Sequence, residues 1–477
     1  MAAAARPGRR LDDVIDDIGY GRAQHSILLY GGGKSVLSGG VVLMLNVAAN
    51  SISSEYSLQN MERGALVSCV FVGNMFGNIF SGYVADLWGR RPPLLLACML
   101  MTVATLASTA VAGFWWMIFW RAGVGFGLGC AVPPWNAIAG EMCPSDSRTL
   151  LTASGMALFC VGMCYSLFLV WLEDPNMADL DWRYLTRLAA APGVFVLYVV
   201  YVGMPESLRY LDRKRRHEEV VATLERMRDL NGRSEVDIHS WESSEPSTDA
   251  GLAPLLTRPL FRTLVGISCS TFVLNYSYFG LVYALPLVLP KVDLGISATI
   301  NIFLSTCVEM AGLVLATFLS KTLSRKAALL IYLGGMSVCV SLLCSCLAFA
   351  PRADEVQAVM PHHGVIMTFS SAAVSGTKLC ISIGWVFVYV YSVEVLPTSC
   401  RAFGSAAAMA FGRLGSIASP LVFEALLEFT GKPYQFFAAM VVLALANIVA
   451  VIQLPVETKD RQLGEISSEF ECLQKVI

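Results

Sequence analysis

Charged residues are scarce in this sequence. They make up 15% of the 477 residues, whereas hydrophobic residues make up 55%. An average soluble domain carries roughly a quarter charged residues, so this chain has too few to cover a surface that faces water. The charges also cluster between long, largely apolar runs such as Leu94–Ala112, Ala327–Ala350 and Phe436–Ile452. The composition therefore excludes an ordinary soluble protein and indicates helices that cross a membrane.

Other absences exclude further classes of protein. No basic block indicates a nucleic-acid partner, and no catalytic triad is visible. The 14 cysteines are scattered through apolar runs without a second pair of metal ligands. The segment "GGGKS" at Gly31–Ser35 resembles a phosphate-binding loop, but Leu28 stands where the first glycine of that motif belongs. The sequence therefore predicts no enzymatic activity, no cofactor, no metal and no nucleic acid.

Twelve apolar segments are long enough to cross about 30 Å of hydrocarbon as helices. Only fully hydrogen-bonded helices or closed barrels can span this layer, and the alternating pattern of barrel strands is missing. We therefore predict an all-α integral membrane protein with two six-helix bundles. The predicted spans are 27–50, 63–85, 93–112, 114–140, 149–172, 186–204, 260–289, 297–320, 326–350, 364–393, 401–427 and 433–455.

A short motif with few fixed positions occurs twice in the chain. "EMCPSDSR" (Glu141–Arg148) and "EVLPTSCR" (Glu394–Arg401) share Glu-x-x-Pro-x-x-x-Arg, with matched residues 253 positions apart. Each copy closes the fourth span of its half, so the halves are predicted to be repeats of the same orientation. The predicted segments are an N-terminal tail, a first bundle, a central loop with an amphipathic helix, a second bundle and a C-terminal tail, at 1–26, 27–204, 205–258, 259–456 and 457–477.

Lysine and arginine are concentrated on one side of the predicted spans. That side carries the rich set Arg90, Arg91, Arg148, Arg209, Arg213, Lys214, Arg215, Arg216, Lys321, Arg325, Lys326, Arg401, Lys459 and Arg461. The opposite side carries the lean set Arg63, Arg183, Lys291, Arg352 and Lys432. Short loops rich in positive charge face the cytosol. Both termini and the central loop are therefore predicted to be cytosolic, in a plasma or vesicular membrane.

The loop after the second span has a recognisable pattern. "GYVADLWGRRPPLL" contains Gly82, Asp86, Gly89, Arg90 and Arg91, and it resembles the signature loop of the major facilitator superfamily. Ordinary positive charge at a cytosolic loop is the structural alternative, but it does not account for the acid and the spaced glycines. The counterpart "TFLSKTLSRKAALL" keeps two basic residues, Arg325 and Lys326, but has lysine and serine in place of the acid and the glycine.

Further motifs extend this resemblance over nearly the whole chain. "RAGVGFGLG" opens span four with Arg121, and Lys378 occupies a similar place in span ten. Cations inside the bilayer are costly and should face a partner or a watery cavity, unless they extend to an interface. "PESLRYL", "LPVETKDRQL" and "NYSYFGLVY" resemble segments of the synaptic-vesicle-two-related proteins, in the sugar and organic-ion branch of the superfamily.

The resemblance implies twelve helices and transport by alternating access. It also implies that charged residues at the cytosolic ends of both bundles form a gate; a purely structural role is the alternative. The predicted gate residues are Gly82, Asp86, Gly89, Arg90, Arg91, Glu141, Arg148, Arg325, Glu394 and Arg401. In this hypothesis, ion pairs between the bundles close the cytosolic side and break when that side opens.

Polar and aromatic residues within the spans are candidates for the substrate site, because ionisable groups in a membrane are functional by default. The candidates are Lys34, Asn275, Tyr276, Tyr278, Tyr283, Glu309, Trp385 and Arg413. Each aromatic residue has packing as its alternative role. Glu309 is the only carboxylate near the centre of a span, and it is therefore the candidate for ion coupling.

Span one lacks the acidic residue that related proteins usually carry there. The sequence has no Asp or Glu between Asp17 and Glu55. Proton coupling, if present, then depends on Glu309, and the excess of buried basic residues favours an anionic or zwitterionic substrate. We predict a secondary active or facilitative transporter, a symporter or a uniporter, of a small organic solute. The alternative is a membrane receptor or vesicle protein that keeps the fold without transport.

Overall fold

The computed structural model describes residues 10–238, 241, 257–291, 296–349, 363–396, 400–454 and 456–458. Within these ranges the chain is built from α-helices with short connections, and no strand is found. Most of the predicted C-terminal tail, the proline of the second repeated motif at position 397 and much of the central linker lie outside the described residues.

Six spans form the first half of the molecule. Its helices are α1 (Leu11–Ile18), α2 (Arg22–Glu55), α3 (Asn60–Trp88), α4 (Arg91–Ser108), α5 (Phe114–Glu141), α6 (Arg148–Glu173), α7 (Trp182–Ala190) and α8 (Pro192–Gly203). The last two form one span that is interrupted at Ala191, since proline at the start of α8 cannot donate the next helical hydrogen bond.

The second half follows two short helices of the central segment, α9 (Leu208–Arg213) and α10 (His217–Asn231). Its spans are α11 (Arg258–Val288), α12 (Ala298–Thr322), α13 (Arg325–Phe349), α14 (His363–Glu394), α15 (Arg401–Thr430) and α16 (Tyr434–Ile452). In the part of the chain that the structure describes, eleven spans are long and apolar enough to cross a membrane. The 28-residue α5 is the twelfth, since at about 1.5 Å per residue it exceeds the hydrocarbon thickness. The prediction of twelve helices is thus confirmed.

The amphipathic helix predicted in the central segment corresponds to α10. Its buried side chains are Val220, Leu224 and Met227, and it ends at Gly232 with a left-handed backbone. Asn231 attaches this end to the first span, because its side chain accepts a hydrogen bond from the amide of Ala23 and donates one to the carbonyl of Gly19. The helix therefore packs against the end of the first half.

The outer surface of the spans is apolar. Phe429, Trp115 and Val338 are 92%, 78% and 70% exposed. An apolar groove of about 470 Å³ lies on the same surface between α4 and α8, lined by Leu95, Leu96, Met99, Val194, Leu197, Tyr198 and Tyr201. A soluble monomer rarely exposes so much contiguous apolar area. This surface therefore faces lipid, and the groove is separate from the polar interior.

The glycines of span four allow α5 to pack directly against the backbone of α3. A Cβ atom added at Gly125 would lie 1.8 Å from the carbonyl oxygen of Val70, and one at Gly129 would lie 2.2 Å from that of Asn74. Small residues permit such close contact between membrane helices. The predicted close packing of this helix is thus present, and its neighbour is α3.

We expect Gly125→Ala to destabilise the first half, because the added methyl group overlaps the backbone of α3. Overpacking of this kind costs about 1–3 kcal/mol, and the purified variant should unfold at a lower temperature than the parent. Gly123→Ala on the same helix is the matched control, since its Cβ would lie 3.4 Å from that of Ala104, an ordinary contact. Equal melting temperatures for the two variants would contradict the direct contact between the two backbones.

The halves meet along three pairs of spans. Helix α3 packs against α15, α6 packs against α12, and α2 contacts α11. Each pair combines one helix of the first half with one of the second. The interface between the halves therefore runs through the centre of the molecule, where the polar candidates of the sequence are concentrated.

Candidate functional site

The signature loop forms a compact charged cluster at one end of the spans, which we call the rim end. Gly89 ends α3 with a φ of 100°, and a side chain there would collide with the carboxylate of Glu206. Arg90 lies 3.3 Å from Asp86 and 3.6 Å from Glu141, measured between nitrogen and oxygen. Glu206 accepts hydrogen bonds from the backbone amides of Arg90 and Arg91. This carboxylate caps α4, where the positive end of the helix dipole favours negative charge.

The second half repeats this cluster although its sequence has degenerated. Arg325 makes two hydrogen bonds to Glu394, of 3.0 and 3.1 Å. Glu457 accepts from the backbone amides of Arg325 and Lys326, as Glu206 does in the first half. Thr458 donates to Glu394 at 2.7 Å. The segments "PES" (205–207) and "VET" (456–458) therefore each supply a glutamate that caps a helix, α4 in the first rim cluster and α13 in the second.

The rim clusters each lie within one half of the described chain. Glu141 is close to Arg90, whereas Arg148 donates to the carbonyl of Cys143 and lies 4.0 Å from Asp12. Gly82 lies on α3 one turn before Asp86, and Arg401 begins α15, with its side chain outside the described part. Among the described residues, no ion pair is found that joins the two rim clusters, and the gating role stays a prediction.

Glu309 is buried in the middle of α12 and is paired with a cation. Its carboxylate lies 3.2 Å from the ammonium group of Lys378 on α14, and both side chains are at least 95% buried. Lys378 also donates to Thr306 at 3.0 Å. Tyr278 and Cys160, the latter from the first half, interact with the same carboxylate. Breaking a buried ion pair by removing one partner is strongly destabilising, so these two charges hold α12 and α14 together.

Polar groups from both halves converge near the middle of the spans. Arg413 on α15 lies 3.5 Å from the side-chain oxygen of Asn275 on α11, and Asn275 contacts the hydroxyl of Tyr389 at 3.4 Å. Lys34 enters from α2, where its ammonium group lies 5.9 Å from the centre of the Trp135 ring. These five residues, which we call the central site, combine two cations with an amide and two aromatic rings.

An aromatic wall continues the central site. The rings of Trp385 and Tyr389 are stacked at 5.2 Å with an angle of 8° between their planes. Tyr278 meets Trp385 edge to face at 5.4 Å. The expected shared face of Asn275 and Tyr278 is therefore present, because both lead to the same pair of rings on α14. Trp385 and Tyr389 are only partly buried, which fits side chains that line a cavity.

Two candidates lie away from the central site. Tyr276 packs between Phe272 and Phe436 inside the second half. Tyr283 lies farther along α11 and donates a hydrogen bond to the carboxylate of Glu424. The four aromatic candidates therefore have different surroundings, and of these four it is Tyr278 and Trp385 that line the central wall.

Arg121 is almost fully buried and has no carboxylate close to it among the described residues. Its guanidinium donates to the backbone carbonyl of Leu45 at 3.1 Å, while its Nε atom finds no acceptor there. Leu45 belongs to α2, the span that lacks an acidic residue. Within the described part of the chain, backbone dipoles rather than a carboxylate therefore face the positive charge of Arg121.

A third cluster, which no motif in the sequence indicates, lies at the end of the spans opposite the rim. Arg63 on α3 makes two hydrogen bonds to Glu424 on α15, at 2.8 and 2.7 Å, and Tyr283 donates to the same carboxylate. We call these three residues the inter-bundle clasp. Glu424 is fully buried and Arg63 is 8% exposed. Arginine and carboxylate match in two-point geometry, which makes this one of the stronger kinds of ion pair.

Neighbouring contacts extend the clasp between the halves. Ser68 donates to the carbonyl of Ile417 at 2.8 Å, and the amide of Thr299 donates to the carbonyl of Pro175 at 3.2 Å. The rings of Phe71 and Phe279 lie 4.5 Å apart. The halves are thus closed against each other at the clasp end. In the described ranges, no group of three or more potential metal ligands is found.

Comparison with known proteins gives a consistent family. A family model described as sugar (and other) transporter matches residues 34–470. The synaptic vesicle 2-related protein of Rattus norvegicus is 26% identical, covering 98% of this chain and 84% of that protein. The niacin transporter NiaP of Acinetobacter baylyi is 24% identical, covering 87% and 90%. Organic cation/carnitine transporter 7 of Arabidopsis thaliana is 25% identical, covering 95% and 96%.

Solved structures share the fold. The inward open xylose transporter XylE from E. coli aligns with a TM-score of 0.71 at 16% identity, covering 94% of this chain and 99% of that one. Its partially occluded inward open form aligns with a TM-score of 0.72 at 17% identity, covering 92% and 100%. These alignments confirm the prediction of a major facilitator fold.

Proposed function

Because the chain belongs to the sugar (and other) transporter family, a family of multi-pass membrane transporters of solutes, we propose that it carries its solute through the central site by alternating access. The observation that carries this proposal is the position of Asn275, Tyr278 and Arg413 at the interface where α2 packs against α11 and α6 against α12, with the hydroxyl of Tyr278 3.5 Å from the sulfur of Met163 in the first half. A site shared by two bundles is exposed to either side as they move. We propose that the solute crosses chemically unchanged.

The contacts between the halves support a particular state of this cycle. The clasp joins α3 to α15, whereas the rim ion pairs each stay within one half. We propose that the central site is then open toward the rim. We also propose, from the distribution of lysine and arginine, that the rim and both termini face the cytosol and that this is the inward-facing state. The membrane concerned is the plasma membrane or that of a vesicle.

In this proposal the rim clusters form the cytosolic gate. When the clasp opens, the rims of the two halves approach, and the charged groups around Arg90 and Arg325 meet across the interface. On the first half, the charged groups include Asp86 and Glu141, and the glycines Gly82 and Gly89 belong to the same loop region. On the second half, they include Glu394 and Arg401. Opposite charges of this kind stabilise the outward-facing state.

We expect Arg90→Ala to lower the population of the outward-facing state. The substitution removes a cation that, in this proposal, meets acidic groups of the other half when the rim closes, and the loss of a hydrogen bond to a charged group costs about 1.5–3 kcal/mol. The measurement is the labelling rate of a cysteine at the clasp end by a reagent that cannot cross the membrane. Exposed Arg213→Ala is the control. Equal labelling in the Arg90 variant and the parent would contradict the gating role.

Glu309 is the proposed coupling residue. It is a buried carboxylate whose charge is matched by Lys378, so that uptake of a proton by Glu309 would free Lys378 to move or to bind a ligand. XylE is described as a proton:xylose symporter, and we propose proton coupling for this chain as well. The relatives act on niacin and on organic cations or carnitine. For this chain, the buried cations favour an anionic or zwitterionic solute.

The proposed function is tested by uptake into liposomes that contain the purified protein. The panel consists of organic acids, amines, amino acids and sugars, each with and without a pH gradient. We expect concentrative or exchange transport of at least one compound, which is absent from protein-free liposomes. Compounds that bind but never enter the liposomes would favour the receptor or vesicle protein instead.

A further inference from the structure

A short pattern of glycine and cysteine occurs on two neighbouring helices of the second half. Gly335 is followed by Cys339 on α13, and Gly376 is followed by Cys380 on α14, so each cysteine comes four residues after a glycine. Residues four apart in a helix lie on the same face. The helices α13 and α14 pack against each other. The pattern therefore places one small residue and one thiol on one face of each helix.

The structure packs each cysteine against the glycine of the other helix. A Cβ atom added at Gly335 would lie 2.7 Å from the sulfur of Cys380, and one added at Gly376 would lie 2.8 Å from the sulfur of Cys339. Residue numbers rise along one helix as they fall along the other, so the two helices are antiparallel. Small residues permit this close approach. Both sulfur atoms therefore lie in the seam between α13 and α14.

The two thiols are about one helical turn apart along this seam. The sulfur of Cys380 lies near the place of a Cβ atom at position 335. The Cβ atoms of residues four apart in a helix are about 5–6 Å apart, so this sulfur is about that far from the Cβ of Cys339. The two side chains also interact with each other. Both cysteines are free thiols here, and rotation of the two side chains toward each other brings them within reach of a disulfide.

The seam borders the lipid-facing surface of the second half. Cys339 and Cys380 are both partly exposed. Ile331 and Val338, on the side of α13 that carries Gly335, are 51% and 70% exposed. Cys339 lies roughly 21 Å from the start of α13, at about 1.5 Å per residue. A reagent therefore reaches the two thiols from the hydrocarbon of the membrane rather than from water.

We propose that Cys339 and Cys380 form a redox-active dithiol, which hydroperoxides dissolved in the membrane oxidise to a disulfide. One sulfur takes the terminal oxygen of the hydroperoxide and becomes a sulfenic acid, and the remainder of the hydroperoxide leaves as an alcohol. The second thiol then attacks the sulfenic sulfur, and water leaves as the S–S bond forms. Two thiols are oxidised and one hydroperoxide is reduced to an alcohol and water. This modification site is independent of the transported solute.

The disulfide would join α13 to the helix that carries the aromatic wall. Trp385 and Tyr389 follow Cys380 on α14, and their rings are stacked. The described contacts between the thiols and the glycines join the two helices without a covalent bond. Oxidation would replace these contacts by a covalent link that a thiol reductant can remove.

The first test maps the thiols of the full-length protein in liposomes. The protein is treated with cumene hydroperoxide, free thiols are blocked with N-ethylmaleimide, and the peptides are identified by mass spectrometry with and without reduction. We expect one cross-linked pair of peptides, containing Cys339 and Cys380, that is lighter by two hydrogen atoms and separates on reduction. Full labelling of both cysteines after the treatment, or a cross-link that involves other cysteines instead, would overturn the proposal.

The second test uses matched variants. Cys339→Ser and Cys380→Ser should each abolish the cross-link, whereas Cys344→Ser, at another partly exposed thiol of α13, should leave its yield unchanged. Gly335→Val should slow cross-linking at least tenfold because the added side chain widens the seam. Gly334→Val is the control, since a Cβ atom there would meet nothing within 4 Å. Equal rates in the two valine variants, or a cross-link that survives either cysteine substitution, would overturn the proposal.

The third test asks from which side the oxidant arrives. Tetrathionate oxidises thiols to disulfides but is charged, and it does not enter the hydrocarbon of an intact membrane. We expect cumene hydroperoxide to cross-link Cys339 and Cys380 at least tenfold faster than tetrathionate does in intact liposomes. Equal rates with the two oxidants would overturn the assignment of this dithiol to the lipid-facing surface.

Discussion

Replacing Glu309 by glutamine is expected to abolish proton-driven uptake while leaving exchange of solute across the membrane. Glutamine keeps the shape of the side chain but cannot take up or release a proton at this position. It also leaves Lys378 buried beside a neutral amide, and breaking a buried pair in this way costs about 3–5 kcal/mol. We therefore expect lower thermal stability as well as lost coupling.

The experiment needs a variant that separates coupling from folding. Glu309→Gln combined with Lys378→Met removes both charges, and it should recover stability because no buried charge is left unmatched at this pair. It should remain uncoupled. Exposed Glu428→Gln is the control for a carboxylate elsewhere in the second half. Uptake that still responds to a pH gradient in the folded Glu309→Gln protein would rule out Glu309 as the coupling residue.

Replacing Glu424 by glutamine is expected to open the clasp end of the molecule. Arg63 would lose both of its hydrogen bonds to a carboxylate, and the residual amide of the variant cannot match its charge. A loss of about 3–5 kcal/mol corresponds to roughly two to three and a half powers of ten in the ratio of closed to open states. The reporter is a cysteine at Ser68, which lies in the interface beside Ile417.

We expect a membrane-impermeant thiol reagent to label this cysteine much faster in the Glu424→Gln protein than in the parent. Exposed Glu428→Gln, one turn along α15, should have no effect. Exchanging the two charges, with Arg63→Glu and Glu424→Arg together, should restore slow labelling in part. Slow labelling in the Glu424→Gln protein would contradict a clasp that depends on this ion pair. Fast labelling in the protein with exchanged charges would contradict it as well.

Much of the fold was predictable because each membrane span corresponds to one continuous apolar segment of the sequence. Apolar runs of sufficient length must form helices in lipid, since backbone groups there have no other hydrogen-bond partners. The repeated motif marks the ends of α5 and α14, where Glu141 lies beside Arg90 and Glu394 beside Arg325. The break at Ala191 was not predicted, because the proline lies within a continuous apolar run.

The central site was predictable as a set of residues but not as an arrangement. Asn275, Arg413 and Trp385 stand out as polar or aromatic residues within spans, and the structure brings them together through Tyr389. Tyr276 looks equivalent in sequence to Tyr278 and yet packs inside the second half. The direction of a side chain around a helix is decided by the neighbouring helices, which a single sequence does not show.

The clasp and the caps were not predictable for a related reason. Arg63 and Glu424 are 361 residues apart, and neither lies in a local motif that indicates the other. In the sequence, Arg63 belongs to the side of the spans that carries few lysines and arginines. A single positive charge there does not indicate a function. Glu206 and Glu457 belong to segments that carry the family resemblance, but their role as caps depends on α4 and α13 beginning beside them.

A cross-link at the clasp tests alternating access most directly. A Cβ atom at Gly64 would lie 3.5 Å from that of Glu424, within the range of about 3.5–4.5 Å that a disulfide requires. We predict that Gly64→Cys with Glu424→Cys, in a protein without other reactive cysteines, stops uptake when oxidised and regains it when reduced, while Gly64→Cys alone is indifferent to oxidation. Equal uptake by the oxidised and reduced double variant would mean that solute crosses without the clasp opening, and it would contradict alternating access between the two halves.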